Sequence, residues 1–283
     1  MKSQRGDARF PVGVMLMDGC QGPGGVDLNV PNVARMYDYY LGGKDNYAAD
    51  RALADQVLRV APQTPALAQE NRAFLQRAVR HLAGPAGIGQ FVDIGAGLPT
   101  LENTHEVAQR TAPGAHVVYV DNDPVVLAHG RALLQGAAGT RVIQGDLRRP
   151  DEILGSPELT GLIDLARPVA ILLVSVLHCV RDEEDPWKIV AWLRDTMAPG
   201  SHLVISHITA ADHAENAEAG ADVYRRASTD MTLRTHSAIR RFFDGFELLE
   251  PGLVRLTEWR PPEGVTPRQD LPTWFFCGVG RKT

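Results

Sequence analysis

Several features that define whole classes of protein are missing from this 283-residue sequence. Its three cysteines, Cys20, Cys179 and Cys277, are far apart and include no C-x-x-C pair, which argues against a disulfide framework or a zinc site. No apolar run reaches the roughly eighteen residues that a membrane span needs. Pro11 and Gly13 interrupt the N-terminal stretch before a secretory core can form. We therefore expect a cytoplasmic chain with reduced thiols and no membrane partner.

A basic stripe is also missing. The 29 basic residues are scattered and are outnumbered by 34 acidic ones, which gives a formal net charge of −5. Proteins that neutralise phosphates need a clustered basic surface, so we expect no nucleic-acid partner. The hydrophobic content of 44% and charged content of 22% are typical of a globular protein with a sizeable core, and they do not define an oligomeric state.

Three regions are predicted along the chain. Residues 1–30 form an irregular leader that contains the breaker QGPGG. Residues 31–85 carry three amphipathic helical patterns, and the first of these is capped by Asn32 and ended by Gly42. Residues 86–283 form one large α/β domain, over which the helices of the second region form a cap.

From residue 90 onward, apolar runs alternate with helical patterns, as in a parallel sheet covered on both faces. Five runs are predicted to be strands, at residues 91–94, 116–121, 140–146, 169–178 and 201–209. Helices are predicted between them, the first at about residues 101–111, and a polar helical stretch is predicted at about residues 212–243. Two later runs, residues 246–259 and 273–280, leave no room for a helix between them and should pair antiparallel. The expected fold is α/β, with a doubly wound, mostly parallel sheet of seven strands, an antiparallel C-terminal edge hairpin and an N-terminal helical cap.

The first predicted strand ends in a glycine-rich turn, DIGAGLPT. Gly95 and Gly97 allow backbone angles that other residues resist and bring the backbone close to a ligand. A dinucleotide-binding turn places a third glycine where this sequence has Thr100, beneath a pyrophosphate at a helix N-terminus. S-adenosylmethionine has no phosphate and does not need that glycine, and Asp93 suits its positive charge. A purely structural turn is the alternative.

Two more acidic residues follow the next two strands. Asp121 can accept both hydroxyls of a ribose, from S-adenosylmethionine or NAD, and Asn122 leaves no arginine nearby for a 2′-phosphate. Asp146 can accept an adenine amino group, and the backbone of Leu147 can reach a ring nitrogen. Because ligands of open α/β sheets bind at the carboxyl ends of the strands, three aspartates there predict one adenosyl site.

Histidines close the fourth and fifth predicted strands. His178 is the candidate catalytic residue, since a neutral imidazole beside the methyl group can take a proton from the attacking atom. It can equally pack on the adenine or support a loop. His207 is the weaker candidate of the two.

The cap contains the stretch YDYYLGGKDNY, residues 37–47. We predict a lid over the strand ends, in which Tyr39, Tyr40 and Lys44 contact the substrate and Arg72 binds a carboxylate of the cofactor. Tyrosines buried at a seam between helices are the alternative.

Taken together, these stretches resemble a family of actinobacterial S-adenosylmethionine-dependent methyltransferases. The resemblance rests on DIGAGLPTLENTHEVAQ, VVYVDNDPVVLAHGRALL, QGDLRRP and VARMYDYYLGGKDNYAADR, and it covers nearly all of the chain after about residue 28. It implies a class I, Rossmann-like methyltransferase fold and S-adenosyl-L-methionine as cofactor. On this sequence it implies Gly95 and Gly97 around the cofactor, Asp121 on its ribose and Asp146 near its adenine. It implies no particular acceptor.

The sequence therefore predicts transfer of a methyl group from S-adenosylmethionine to a small-molecule acceptor, without a metal ion. Two alternatives share most of the same motifs: an NAD-dependent oxidoreductase or epimerase, and a regulator that binds S-adenosylmethionine without catalysis. The acceptor atom, oxygen, nitrogen or carbon, is not defined by these residues.

Overall fold

The computed structural model describes residues 27–283 apart from Leu101, Gln135 and Ser228. Residues 1–26 of the predicted leader, residues 1–30, therefore lie outside the described residues, and Cys20 is among them. None of the helices in the described part of the chain is long and apolar enough to span a membrane.

The described residues form ten α-helices and eight strands. The helices are α1 (Val33–Tyr40), α2 (Ala48–Val60), α3 (Thr64–Ala83), α4 (Thr104–Thr111), α5 (Pro124–Leu133), α6 (Pro150–Leu154), α7 (Pro157–Thr160), α8 (Pro186–Thr196), α9 (Ala214–Tyr224) and α10 (His236–Arg240). The strands are β1 (Gln90–Ile94), β2 (His116–Asp121), β3 (Thr140–Gln144), β4 (Ala170–Val174), β5 (His202–Ile208), β6 (Phe246–Leu248), β7 (Val254–Arg255) and β8 (Phe275–Lys282).

All eight strands belong to one sheet. Its main order is β3-β2-β1-β4-β5-β8-β6, and the two-residue strand β7 also pairs with β8. Strands β1 to β5 are parallel to one another, whereas β8 is antiparallel to β5 and to β6. The predicted doubly wound sheet with an antiparallel C-terminal end is confirmed, and it has eight strands where seven were expected, because the second-last predicted run is divided into β6 and β7.

The parallel strands are apolar on both sides because both faces of the sheet are covered. Neighbouring residues of a strand point to opposite faces, so Val92 and Ile171 belong to the core on one face, and Phe91 and Leu172 to the core on the other. All five residues of β1 are buried, including Asp93. A carboxylate therefore lies at the edge of an otherwise apolar layer.

Helices α1 to α3 form the cap. As predicted, Asn32 caps α1, and its side-chain oxygen accepts a hydrogen bond from the backbone N–H of Ala34 at 2.7 Å. Residues of α1 and α2 share a third apolar cluster with Tyr224 of α9, whereas Phe74 of α3 packs in the core of the sheet. Helix α3 contributes both to the cap cluster and to the core of the sheet. The predicted boundary at residue 85, between the cap region and the α/β domain, therefore stays a proposal.

The glycine pair in the cap closes a turn around Asp38. The carboxylate of Asp38 accepts hydrogen bonds from the backbone N–H of Asp45, at 3.0 Å, and the side chain of Asn46, at 2.8 Å. A Cβ atom on Gly43 would overlap that carboxylate. The residue types between positions 38 and 46 are therefore largely explained by the folding of this turn.

A buried chain of hydrogen bonds joins the cap to the sheet. The hydroxyl of Ser206, on β5, donates to the side-chain oxygen of Asn71, on α3, at 2.6 Å. The amide of Asn71 donates to the hydroxyl of Tyr37, on α1, at 3.0 Å, and Tyr37 donates to the backbone oxygen of Ala68 at 2.9 Å. The backbone N–H of Ser175 donates to Ser206 at 3.0 Å, so one polar chain fixes both helices above β4 and β5.

Several predicted boundaries are wrong. Strand β3 ends at Gln144 and not at residue 146. Strand β4 ends at Val174, not at residue 178, because Ser175 adopts a left-handed conformation (φ 61°) and turns the chain. His178 therefore lies in a short 3-10 turn, Leu177–Cys179. Helix α4 begins at Thr104 rather than at residue 101. The stretch 212–243, predicted as helical throughout, is divided between α9 and α10 by a non-helical segment.

Candidate functional site

A cavity of about 530 Å³ lies between the cap and the carboxyl ends of β1 to β4. Its volume falls within the range of small-molecule sites, which is roughly 300–1,000 Å³. All the residues predicted to bind the cofactor line this cavity, together with the predicted catalytic residue: Arg72, Asp93, Gly95, Gly97, Asp121, Asn122, Asp146, Leu147 and His178.

The two glycines of the β1 turn have similar backbone conformations but different surroundings. Gly95 and Gly97 have φ angles of 74° and 67°, in the left-handed region. A Cβ atom on Gly95 would overlap the side chain of Val176, in the turn after β4. A Cβ atom on Gly97 would meet no atom of the described residues within 4 Å. Gly95 therefore permits packing between two turns, and Gly97 leaves backbone open to the cavity.

Asp121 closes the same turn from the end of β2. One carboxylate oxygen accepts a hydrogen bond from the backbone N–H of Gly97 at 2.9 Å, and the other accepts from the backbone N–H of Asp123 at 3.0 Å. Burial raises the pKa of Asp121 above its ordinary value. Each oxygen of a carboxylate has a second acceptor site, so Asp121 can hold the turn and also accept ligand hydroxyls.

Asp146 is more exposed than the other two predicted aspartates. It accepts hydrogen bonds from the backbone N–H of Arg148 at 3.0 Å and from its guanidinium at 3.1 Å. Arg148 also donates to Glu184 at 2.6 Å and to the backbone oxygen of Cys179 at 3.0 Å. Arg148 thus ties the loop after β3 to the turn after β4 at the outer end of the cavity.

Asp93 and Arg72 lie at the inner end. The hydroxyl of Thr104 donates to the carboxylate of Asp93 at 2.7 Å, and burial raises the pKa of Asp93 to about 6 despite this bond and the nearby charge of Arg72. The Nε atom of Arg72 is enclosed and has no hydrogen-bond partner among the described residues. A buried N–H group of an arginine that lines a cavity is a donor for a ligand acceptor.

His178 is 2% exposed at the opposite wall of the cavity. Its Nδ1 atom is enclosed and is not bonded by any described residue. Burial, and then the charge of Arg234, lower the pKa of His178 to about 3. The imidazole is therefore neutral at physiological pH and has hydrogen-bonding capacity to spare.

Arg234 holds the turn that carries His178, and our sequence interpretation missed it. The guanidinium is 4% exposed and donates to the backbone oxygens of Leu177, at 3.0 Å, and Val180, at 2.6 Å, on either side of His178. It also donates to Asp182 at 2.7 Å and to Nε2 of His207 at 2.8 Å. Arg234 belongs to the segment that was predicted as helix, and no local pattern indicates that it is buried.

The structure places His207 behind the site and not in it. His207 is fully buried, and its two ring nitrogens bond to Arg234 and, at 2.7 Å, to the backbone oxygen of Ile208. Both of its polar atoms are therefore used within the protein. Its ring lies 5.5 Å from the ring of His178, centroid to centroid, so it packs behind that side chain.

The three residues predicted to bind substrate do not line the cavity. The hydroxyl of Tyr39 donates to Asp55 at 3.0 Å near the surface, and Tyr40 is buried and accepts a hydrogen bond from Tyr224 at 3.0 Å. Lys44 is exposed. Helix α1 turns Tyr37 and Asp38 toward the cavity instead, so the position of the predicted lid residues does not support a substrate role for them.

The charges around the cavity are unequal. Six of the described lining residues are acidic and three are basic, namely Asp27, Asp38, Asp93, Asp121, Asp123 and Asp146 against Arg35, Arg72 and Arg148. Arg35 already pairs with Asp50 at 3.4 Å, and Arg148 with Asp146 and Glu184. This excess of carboxylates favours a ligand with positive charge.

The sheet order, the antiparallel end and the acidic strand-end cavity define a class I methyltransferase fold. Residues 21–283 match the family model Methyltransf_19, S-adenosyl methyltransferase. The chain belongs to this family of enzymes, whose methyl donor is S-adenosylmethionine.

Two solved structures are similar over most of the chain. One is a candidate methyltransferase from Thermobifida fusca YX, with 45% identity, a TM-score of 0.86, and coverage of 91% of this chain and 97% of that one. The other is a DUF574 family protein from Streptomyces avermitilis MA-4680, with 40% identity, a TM-score of 0.85, and coverage of 91% and 99%.

Solved structures with lower sequence identity resemble the chain in fold alone. An O-methyltransferase family protein from Burkholderia thailandensis has 14% identity and a TM-score of 0.50, and the match covers 80% of this chain and 62% of that one. No curated protein matches the chain.

The buried carboxyl group of Asp93 predicts a specific pH dependence of stability. Its pKa is about 6 in the folded protein against an ordinary value of 3.8, so the folded state keeps a proton that the unfolded chain has released. The resulting stabilisation is present below about pH 4 and is lost as the pH rises through 6. Relative to wild type, Asp93→Asn should gain about 2 kcal/mol in the free energy of unfolding between pH 4 and pH 7.

Urea denaturation of both proteins at several pH values measures this difference. The exposed Asp151→Asn variant is the control and should show no such trend. A difference between Asp93→Asn and wild type that stays constant with pH would show that folding does not raise the pKa of Asp93.

Proposed function

We propose that the chain binds S-adenosylmethionine along the carboxyl ends of β1, β2 and β3 and transfers its methyl group to a small molecule held beside β4. The observation that carries the proposal is the enclosed Nε of Arg72, which lines an acidic cavity and has no hydrogen-bond partner in the part of the chain that the structure describes. Its N–H suits the carboxylate of an amino acid. The excess of aspartates suits the sulfonium and ammonium groups that the same ligand carries.

The strand ends provide for the rest of the cofactor. Asp121 is proposed to accept the ribose hydroxyls, and Asp146 and the backbone of Leu147 to contact the adenine. Gly97 supports this arrangement because the place of its missing side chain is open space. Asp93 is proposed to act by fixing the start of α4 through Thr104 and by adding negative charge near the amino-acid end.

When bound, S-adenosylmethionine supplies a methyl group activated by the sulfonium, which the acceptor attacks while the carbon–sulfur electron pair remains on sulfur. The protein supplies position, orientation and exclusion of water. Val176 and His178 lie on the same wall, beyond the β1 turn, and the cap covers the strand ends through Tyr37. The acceptor is proposed to bind between this wall and the cap.

The same geometry argues against NAD. In dinucleotide binders the pyrophosphate sits at the N-terminus of the helix after β1. Here the carboxylate of Glu106 accepts a hydrogen bond from the backbone N–H of Asn103, at 2.6 Å, and occupies the start of α4. Two phosphate charges would also face the excess of carboxylates. Neither this alternative nor a regulator without catalysis gains support from the structure.

Binding and turnover test the proposal separately. Calorimetry should show binding of S-adenosylhomocysteine and no binding of NAD at the same concentration. Transfer of label from methyl-labelled S-adenosylmethionine to small molecules of a cell extract should require the protein. Binding of NAD alone would overturn the proposal, and binding of S-adenosylhomocysteine without any labelled product would favour the regulator.

The two turn glycines provide a matched pair of variants. Gly97→Ala adds a methyl group that points into the cavity, so it should lower the affinity for S-adenosylhomocysteine at least about tenfold and destabilise the protein by only about 1 kcal/mol. Gly95→Ala has the same backbone strain and adds an overlap with Val176, so it should cost roughly 2–4 kcal/mol.

Urea denaturation gives the free energies of unfolding, and calorimetry gives the affinities. A Gly97→Ala protein that binds S-adenosylhomocysteine as wild type does would show that the cofactor does not cross the β1 turn.

A further inference from the structure

The wall of the cavity formed by the turn after β4 and the segment after α9 differs from the rest of the lining. Its side chains include Val176, His178, Cys179, Tyr224, Thr229 and Met231. None of these is charged at neutral pH, since burial raises the pKa of Cys179 to about 12 and lowers that of His178 to about 3. We call this wall the acceptor wall.

The nearby polar groups are largely used by the protein itself. The hydroxyl of Tyr224 donates to Tyr40, and that of Tyr37, which faces the cavity from the cap, donates to the backbone oxygen of Ala68. The guanidinium of Arg234 lies behind the wall, and its N–H groups bond to Asp182, His207 and two backbone oxygens. None of the described side chains that form the acceptor wall is a cation or a carboxylate that could pair with a charged acceptor.

His178 is the exception on this wall. Its side chain is buried and lines the cavity, and Nδ1 has no partner in the described part of the chain. A buried imidazole with unused hydrogen-bonding capacity is costly unless a ligand shares it. A charged group buried against uncharged walls costs far more than a neutral one.

We propose that the acceptor is an uncharged compound with a phenol-type hydroxyl group, which donates a hydrogen bond to the imidazole of His178 and is methylated on oxygen. The inference rests on the proposed function and adds the substrate class. The oxygen–methyl bond forms as the methyl–sulfur bond breaks with its electron pair on sulfur, and the hydroxyl proton passes to His178. The imidazolium takes over the positive charge that the sulfonium loses, so charge is conserved.

The lining of the acceptor wall supports a phenol over an aliphatic alcohol. Val176, Tyr224 and Met231 provide apolar and aromatic surface against which the ring of a phenol can pack. Arg234 fixes the backbone on both sides of His178, and the backbone N–H of Thr232 donates to the backbone oxygen of His178 at 2.8 Å, so the ring is held in place.

Four probes of one shape test the proposal: p-cresol, p-toluate, 4-methylbenzylammonium and p-xylene. Their dissociation constants are measured by ligand-observed NMR on protein saturated with S-adenosylhomocysteine. We expect p-cresol to bind at least about tenfold more tightly than each of the others. The advantage of p-cresol over p-xylene should disappear in His178→Phe and return in part in His178→Asn.

His236→Phe makes the same exchange at an exposed position outside the cavity and should keep the advantage of p-cresol. Labelled S-adenosylmethionine should convert p-cresol to 4-methylanisole in the wild type and the control. A charged probe that binds as tightly as p-cresol, binding of none of the four, or an advantage that survives in His178→Phe would overturn the proposal. Failure of S-adenosylhomocysteine to bind would instead overturn the proposed function on which it rests.

Discussion

The hydrogen bond from Ser206 to Asn71 connects the two layers of this molecule. It joins the end of β5 to α3 at 2.6 Å, and through the amide of Asn71 it reaches Tyr37 on α1. Because these groups are buried, water cannot replace the bonds if the layers separate. Together with the packing of α3 on the sheet, this polar chain holds the cap above the strand ends, where the cavity lies.

Beneath that cap, the charged and uncharged residues of the cavity follow different strands of the sheet. The strands on one side of β1 end in Asp121 and Asp146, whereas β4, on the other side, leads into a turn of uncharged residues. A charged cofactor and a neutral acceptor can thus occupy one cavity without competing for the same groups. The contact between Gly95 and Val176 joins the two sides, and Arg234 fixes the far wall.

Much of the fold and part of the site could be predicted from the sequence, because they depend on local patterns. The apolar runs located β1 and β2, and the residue type that ends a parallel strand indicated Asp93, Asp121 and Asp146. The end of β4 was predicted wrongly because an apolar run continues past Ser175, whose left-handed angle is set by its contacts with Ser206.

The remaining differences arise from long-range contacts. Arg234 is buried by partners more than fifty residues earlier in the chain, which no local pattern reveals. Tyr39 and Tyr40 of α1 were predicted to contact the substrate, but the helix directs Tyr40 to Tyr224 and Tyr39 to Asp55. The glycines beside them serve the turn around Asp38. The residue types of this stretch, which suggested a ligand site, thus serve partly to fold the turn.

The central claim is that the cofactor lies with its amino-acid end at Arg72, and one calorimetric comparison tests it directly. S-adenosylhomocysteine and 5′-methylthioadenosine, which lacks the amino-acid end, are titrated into the wild type and Arg72→Met. The account predicts that the substitution lowers the affinity for S-adenosylhomocysteine at least about tenfold. The affinity for 5′-methylthioadenosine should change by no more than about twofold, since only the first ligand has a carboxylate. Equal losses for both ligands, or no loss for either, would contradict it.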